Sequence, residues 1–459
     1  MDPDMNRRHS PIRKSAALLI AALLLGCAGG LTARGDAMYS VTNLGALSPV
    51  GLDSQGHTYL NQFSSAPYPI HQDLGQRDRI GYSALETARR YEPSGPNAGQ
   101  FTDIGANVPK GAYQVGSAVN PASSKVIGVT GDDRAVVLTN QGTFLTDGKT
   151  ATRFDVPAGY GVVAVNASGQ AAANLGDGYS SSNAAIVKAG TATPIVTPNG
   201  QLSEAVAINA SGQISGRMWD NIPGTWTENK AHAFVTQNGK VVDLGTLGGA
   251  WSRATAINDG NQVVGVSDTG TQVNMPGYVN WKVPATHAFL ATNGTMKDLG
   301  TIGNDSFSVA LGFGSKGQVL GYSSANSSSS YNPHDPPSYS YGVFLGSSDR
   351  AFLYDGKTML DINKLVIPPP SGLVSIDRAF AINDKGQILA EGYYNTTIRN
   401  TLLLTPISQP QPTTPPELIP EPATWVFYGL CLAGFSAHRL RAKARAGRRA
   451  GLDLTPSNK

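Results

Sequence analysis

The chain has 459 residues, of which 53 are Gly and 29 are Pro, with 40% hydrophobic and 15% charged. A globular domain usually holds about 25% charged residues and about 7% Gly, so long amphipathic helices are excluded and many short strands joined by turns are expected. The formal charge of +3 is uneven: basic groups cluster in residues 1–14 and 438–459, while the stretch between them carries 24 basic against 29 acidic residues, a balance unsuited to binding nucleic acid phosphates.

At the N-terminus, Arg7, Arg8, Arg13 and Lys14 precede the apolar run from Ala16 to Leu25, and Gly35-Asp36-Ala37 offers small residues for a cut after Ala37. This order predicts a secretory signal peptide over residues 1–37. Leu24-Leu25-Gly26-Cys27 also spells a lipobox, which gives a minor alternative in which Cys27 is lipidated. The only other cysteine, Cys431, lies in an apolar segment near the far end, so nothing between the two can be a disulfide framework, a thiolate metal site or a cysteine nucleophile.

From residue 38 to residue 408 one phrase recurs. Its clearest copy starts Ala256-Ile257-Asn258-Asp259-Gly260-Asn261-Gln262-Val263-Val264-Gly265 and continues through His287-Ala288-Phe289-Leu290, Asn293-Gly294 and Asp298-Leu299-Gly300. The preceding copy has Asn209, Gln213, His232-Ala233-Phe234-Val235, Asn238-Gly239 and Asp243-Leu244-Gly245. Weaker copies begin near Asn166, Leu311 and Asn383, and degenerate ones near Val119-Asn120 and Leu52-Asp53-Ser54-Gln55-Gly56. A fixed phrase at such spacing marks a repeat architecture.

Each copy predicts four antiparallel strands. Asn and Gly supply the left-handed backbone of tight hairpins, and the apolar residues on either side form the paired strands. Four strands in about 40 to 50 residues is a propeller blade. The last copy lacks a fourth strand, whereas Tyr39 to Leu47 matches the fourth-strand phrase. The expected fold is therefore all-β: a β-propeller of seven four-stranded blades, the seventh completed by the N-terminal strand, with an open β-solenoid or a six-blade ring as alternatives.

Residues 409–419 form a Pro-rich spacer, expected to be extended. Then come Pro420-Glu421-Pro422, the apolar run from Trp425 to Ala437, and a basic cluster ending at Arg449, with a further tail over 450–459. The helix expected over the 15 residues from Ala423 to Ala437 would reach only about 22 Å against a hydrocarbon core of about 30 Å, which suits a transient stop better than a permanent anchor. This order, over 420–449, resembles the PEP-CTERM sorting signal of Gram-negative bacteria. The resemblance implies a short transmembrane helix, a cytoplasmic basic tail and an exosortase-type sorting protease as partner, with Pro420, Glu421 and Pro422 as the recognition residues. The repeated His-Ala-Phe and Asp-Leu-Gly phrases resemble the HAF repeat of bacterial extracellular proteins, most closely over 205–302.

His232 and His287 occupy equivalent places in their copies, and Arg134 and Arg350 are aligned with them; a position taken by either His or Arg points to a strand-end hydrogen bond rather than a metal ligand. Asp103, Asp243, Asp298 and Asp361 also recur once per copy and are expected to cap turns, and Asn166, Asn209, Asn258 and Asn383 to form turns. No catalytic residue, metal site or cofactor is expected. The aromatic insertions are less constrained: Trp219 and Trp226, Tyr278 and Trp281, and Tyr331, Tyr339 and Tyr341 all fall between the second and third strands of their copies. They should gather on one face and suit stacking on sugar rings. The function expected is that of an exported protein, transiently held at the inner membrane and directed to the cell surface, acting as a non-catalytic binding module for exopolysaccharide or another surface polymer. A secreted polysaccharide hydrolase and a self-associating structural protein are the alternatives.

Overall fold

The computed structural model describes residues 38–69, 80–109, 113–115, 118–120, 124–139, 141–175, 183–220, 230–274, 282–314, 316–325, 349–367, 369–394 and 399–407. The signal peptide with Ala37 and Cys27, the spacer, Pro420, Glu421, Pro422 and the apolar run after them lie outside the described residues, as does the whole second compact unit, Ser408–Lys459. Among the described residues no helix is long and apolar enough to cross a membrane.

The described chain is all-β, apart from short 3-10 turns, and most strands fall into four-stranded antiparallel units. Unit I holds Ser48–Leu52, Thr58–Pro69, Ile80–Tyr91 and Phe101–Asp103. Unit II holds Lys125–Val129, Ala135–Thr139, Gly142–Thr146 and Ala151–Phe154, and unit III holds Tyr160–Val165, Gln170–Leu175, Asn183–Lys188 and Thr191–Pro194. Unit IV is Leu202–Ile208, Ile214–Trp219, His232–Gln237 and Lys240–Gly245; unit V is Ser252–Ile257, Val263–Asn274, Lys282–Thr292 and Thr295–Asp298. Unit VI is Phe307–Phe313, Val319–Ser324, Arg350–Tyr354 and Met359–Asp361, joined to unit V by a single parallel pairing of Thr286 with Phe307. Unit VII takes Leu373–Ile382, Ile388–Tyr394 and Arg399–Ile407 from the end of the chain and Met38–Gly45 from its beginning.

Met38 pairs with Ile407 and Gly45 with Thr401, antiparallel throughout. Local chemistry makes this strand a fourth strand like the others. The Asn43 side chain accepts from the Gly45 N–H at 2.8 Å, as the Asp243 carboxylate does from Gly245 and the Asp298 carboxylate from Gly300, and Leu44, Leu244 and Leu299 are all buried.

The same bulge interrupts every first strand. Val50, Ile127, Val163, Val206, Thr255, Leu311 and Phe380 each stand unpaired where the register slips by one. A bulge sharpens local twist. First strands touch in the order I to VII, and that of unit VII touches that of unit I.

The core is distributed between units rather than gathered at one centre. One cluster joins Ala233 of unit IV to Ala254, Val263 and Phe289 of unit V; another joins Val264 and Ala288 to Ala310 and Phe352 of unit VI. Leu44 and Leu403 of unit VII pack with Leu60 and Tyr91 of unit I. In units IV, V and VI the Phe at this place in the repeat faces a Gly: Phe234 opposite Gly216, Phe289 opposite Gly265 and, in Arg350-Ala351-Phe352, Phe352 opposite Gly321. All three rings are fully buried, each contributing about 1.5–3 kcal/mol of transfer free energy.

Two sequence assignments are displaced. Val119-Asn120 lies in a separate two-stranded ribbon, Tyr113–Val115 with Ala118–Asn120, not at a unit's first turn. Arg134 precedes the second strand of unit II rather than the third. The reason is Ser124, whose hydroxyl accepts from the Ala88 N–H of unit I, as Ser252 does from Ala233 and Ser308 from Ala288. That bond fixes Lys125–Val129 as the first strand of unit II.

Candidate functional site

The repeated polar residues hold the sheets together. Asn209 donates to Gln213 Oε1 at 2.9 Å and to the Asn258 carbonyl of the next unit at 3.2 Å, while its own oxygen accepts from the Gln213 N–H. Asn166 does the same toward Asn209, and Asn383 toward Asp53 of unit I. These asparagines form turns, as expected, and also tie one unit to the next.

His232 Nδ1 lies 3.0 Å from the Asp243 carboxylate, and His287 Nδ1 lies 2.8 Å from that of Asp298. Each pair joins a third strand to a fourth. The hydrogen bond to Asp243 raises the His232 pKa against the opposing effect of burial. Burial works against the charges of Asp243 and Asp298, yet the histidines and the Gly N–H groups outweigh it and hold both carboxyls below their ordinary range. Arg350 stands where the histidines stand and reaches Asp305 at 2.7 Å. Asp103 and Asp361 cap turns at Gly105 and Asn363. Among the described residues no group of three His, Cys, Asp or Glu side chains could hold a metal ion.

The sheet ends where second strands stop and third strands start form the candidate functional face. The connections there span 221–229 in unit IV, 275–281 in unit V and 326–348 in unit VI. Trp226, Tyr278, Trp281, Tyr331, Tyr339 and Tyr341 fall in them, outside the described residues. Trp219 is described: it ends a second strand, is 2% exposed, and has the Arg217 guanidinium 5.1 Å from its ring centre. Arg217 in turn reaches Glu204 at 2.6 Å.

At the same end of units VI and VII lies a larger charged cluster. Arg378 donates to Asp349 at 3.2 Å, and Arg399 lies 3.5 Å from Asp349 and 3.5 Å from Asp377. Arg378 stacks over Tyr322, 4.8 Å from the ring centre, and Arg399 over Tyr393 at 5.6 Å. Asp377 is fully buried. Burial pushes Glu391 above the usual carboxylate range, with Arg378 and Arg399 pulling the other way. Burial likewise raises Tyr322. These residues depart from the repeat; the charged pair Asp377-Arg378 inside the mostly apolar strand Leu373–Ile382 is their signal in the sequence.

No protein-family model matches the chain, and no curated protein does. Among solved structures, the extracellular domain of a hybrid two-component system from B. thetaiotaomicron aligns with 81% of this chain and 40% of its own, at 10% identity and a TM-score of 0.37. Pyrococcus horikoshii acylaminoacyl peptidase aligns with 76% of this chain and 57% of its own, at 9% identity and a TM-score of 0.33. The chain thus spans about half the length of the solved structures it matches or less.

Proposed function

We propose that the seven units are the blades of a closed β-propeller, exported by a signal peptide, sorted through a PEP-CTERM tail, and working at the cell surface as a HAF-repeat binding module for an extracellular polysaccharide. The observation that carries this reading is the common position of the three aromatic insertions. All leave their sheets between the second and third strands, so in a ring of blades they meet on one face. Closure is supported by Met38–Gly45 lying on Arg399–Ile407. The expected cut after Ala37 falls immediately before that strand, and the Pro-rich spacer starts just beyond its partner. Recurrent titratable groups are occupied in capping turns and bridging strands, which leaves the insertions as the contact surface.

Retention of the exported protein on exopolysaccharide tests the reading, comparing it with Trp226→Ala and Trp281→Ala. Loss of retention in these variants with an unchanged fold supports sugar stacking by the insertions; equal retention removes it. Trp219→Ala is the control for folding, because that ring lies buried beneath Arg217.

A further inference from the structure

Guanidinium groups elsewhere in the repeat are closed by a carboxylate. Arg217 donates to Glu204 at 2.6 Å, and Arg350 lies 2.7 Å from Asp305. Between units VI and VII the spacing is wider. Arg399 lies 3.5 Å from Asp349 and 3.5 Å from Asp377, and it makes no hydrogen bond among the described residues. Its Nε and that of Arg378 are both buried without a hydrogen-bond partner, although Arg378, 8% exposed, donates through its Nη2 to Asp349. Leaving a buried donor unmade is costly, more so when it is charged, so two at one joint mark a place where an acceptor belongs.

The nearest acceptors are engaged. Asp349 takes the Arg378 bond, and Asp377 takes the Ser375 hydroxyl. Glu391 stands opposite Arg378 on the neighbouring strand, Tyr393 stands opposite Arg399, and Tyr322 lies beneath the Arg378 guanidinium. Neither the Glu391 carboxyl nor the Tyr322 hydroxyl makes a hydrogen bond among the described residues, and both residues keep part of their surface open. The charges of Arg378 and Arg399 match those of Asp349 and Asp377, and burial favours the neutral, donating form of Glu391. Arg399, with 24% of its side chain exposed, and the part-exposed Tyr393 form the open side. What remains unmade is mostly N–H and O–H, so the complementary group is a negatively charged acceptor that fits the guanidinium fork, a carboxylate.

We propose that the joint between units VI and VII binds the carboxylate of an acidic sugar, with the Arg399 guanidinium taking its oxygens and the Tyr393 ring beside the sugar. This rests on the polysaccharide reading above and narrows the polymer to one that carries uronic acid residues. Glu391 makes the site sensitive to pH. It faces Arg378 and Asp377 of the first strand, Arg399 of the third, and Tyr322 and Asp349 of unit VI. Its ionised form repels an incoming carboxylate, so binding is strongest while Glu391 is neutral.

Calorimetric titration of the exported protein with glucuronate, glucose and acetate over a pH series tests the site. Saturable glucuronate binding is expected, with none for glucose and at least roughly tenfold weaker binding of acetate. Arg399→Gln should weaken glucuronate roughly tenfold, the cost of one charge-assisted hydrogen bond. Native affinity should fall as pH rises through the folded-state pKa of Glu391, whereas the affinity of Glu391→Gln should stay level. Glu391→Gln breaks no hydrogen bond among the described residues, so it reads the site even where Arg399→Gln fails to fold. The assignment would be overturned by no glucuronate binding, by glucose or acetate binding as tightly, by a native affinity as level with pH as that of Glu391→Gln, or by a folded Arg399→Gln variant that binds like the native protein. Retention on polygalacturonate and on dextran separates this site from the insertion face. Trp226→Ala should lower retention on both polymers, and Arg399→Gln on polygalacturonate alone. Retention that falls only in Trp226→Ala overturns the carboxylate site and leaves the insertion reading standing; glucuronate binding without retention on either polymer does the reverse.

Discussion

Gly265 and Phe289 face each other across the second and third strands of unit V so closely that a Cβ on Gly265 would stand 2.8 Å from the Phe289 ring and 1.9 Å from the Arg253 carbonyl oxygen. The ring fills the space that a side chain would take, and the backbone leaves no route for relief. Gly265→Ala should therefore destabilise the protein by about 1–3 kcal/mol, the range for forcing extra volume into a filled core, and a urea denaturation midpoint measures it. An unchanged midpoint would show that the Gly–Phe pairing does not control the sheet.

Removal of Met38–Gly45 should be more damaging than truncation at an ordinary frayed terminus. The strand supplies buried Tyr39 and Leu44 to the unit VI–VII and VII–I contacts respectively, and its loss bares the backbone of Arg399–Ile407 as an open edge. Tyr39→Ala alone should cost about 3–5 kcal/mol, by analogy with other large aromatic truncations. The truncated chain should be mostly aggregated in size-exclusion chromatography; a monodisperse, fully folded product would count against the role of this strand.

Asn209 makes two bonds within its turn and one to the next unit. Asn209→Ala strands the Asn258 carbonyl and the Gln213 side chain, so a loss of about 1–3 kcal/mol is expected. Asn209→Asp keeps the acceptor but loses the donor, and should fall between the two in thermal unfolding.

For His232, the bond to Asp243 raises the folded-state pKa above the unfolded one, so the pair's stabilisation is full below the unfolded imidazole pKa and fades as pH rises through the folded one. Asp243 is shifted the other way, so the same pair loses its benefit again as pH falls through the carboxyl's folded pKa. In an NMR titration, Asp243→Asn should lower the His232 midpoint. A midpoint that stays put would show that the contact is not formed in solution.

Glu391 has the opposite sign from an ordinary salt-bridged carboxylate. Its folded-state pKa lies above the unfolded value because burial exceeds the pull of Arg378 and Arg399. Its contribution is therefore present below the unfolded carboxyl pKa and is lost as pH rises through the folded one. Glu391→Gln should gain on the native protein as pH rises through the carboxylate range, read from thermal midpoints in a pH series; parallel curves would refute the assignment.

The repeat was legible because its residues act locally. Asn293-Gly294 makes a hairpin wherever it falls, with φ of 52° and 79°, and Asp298 caps its own turn at Gly300. The equivalence of Asn43-Leu44-Gly45 to Asp298-Leu299-Gly300 was likewise readable, since it rests on the same cap. Unit II was misaligned because its register depends on Ser124 meeting Ala88 from another unit, a contact that neighbours in sequence cannot reveal. The Arg378 cluster was missed for a related reason: its members come from five strands or strand ends, with Tyr322 and Arg399 separated by 77 positions along the chain.

The sequence by itself determined the period, the four-strand unit, the hairpin turns and the place where the missing strand would be found, since these depend on backbone preferences and hydrophobic alternation within a few residues. Tertiary structure alone decided which glutamine packs against which glycine of a neighbouring unit and which charges are buried together. Those outcomes depend on the distance between surfaces brought together from separate units, and a side chain's partner across such a gap is fixed by packing rather than by its neighbours in the chain.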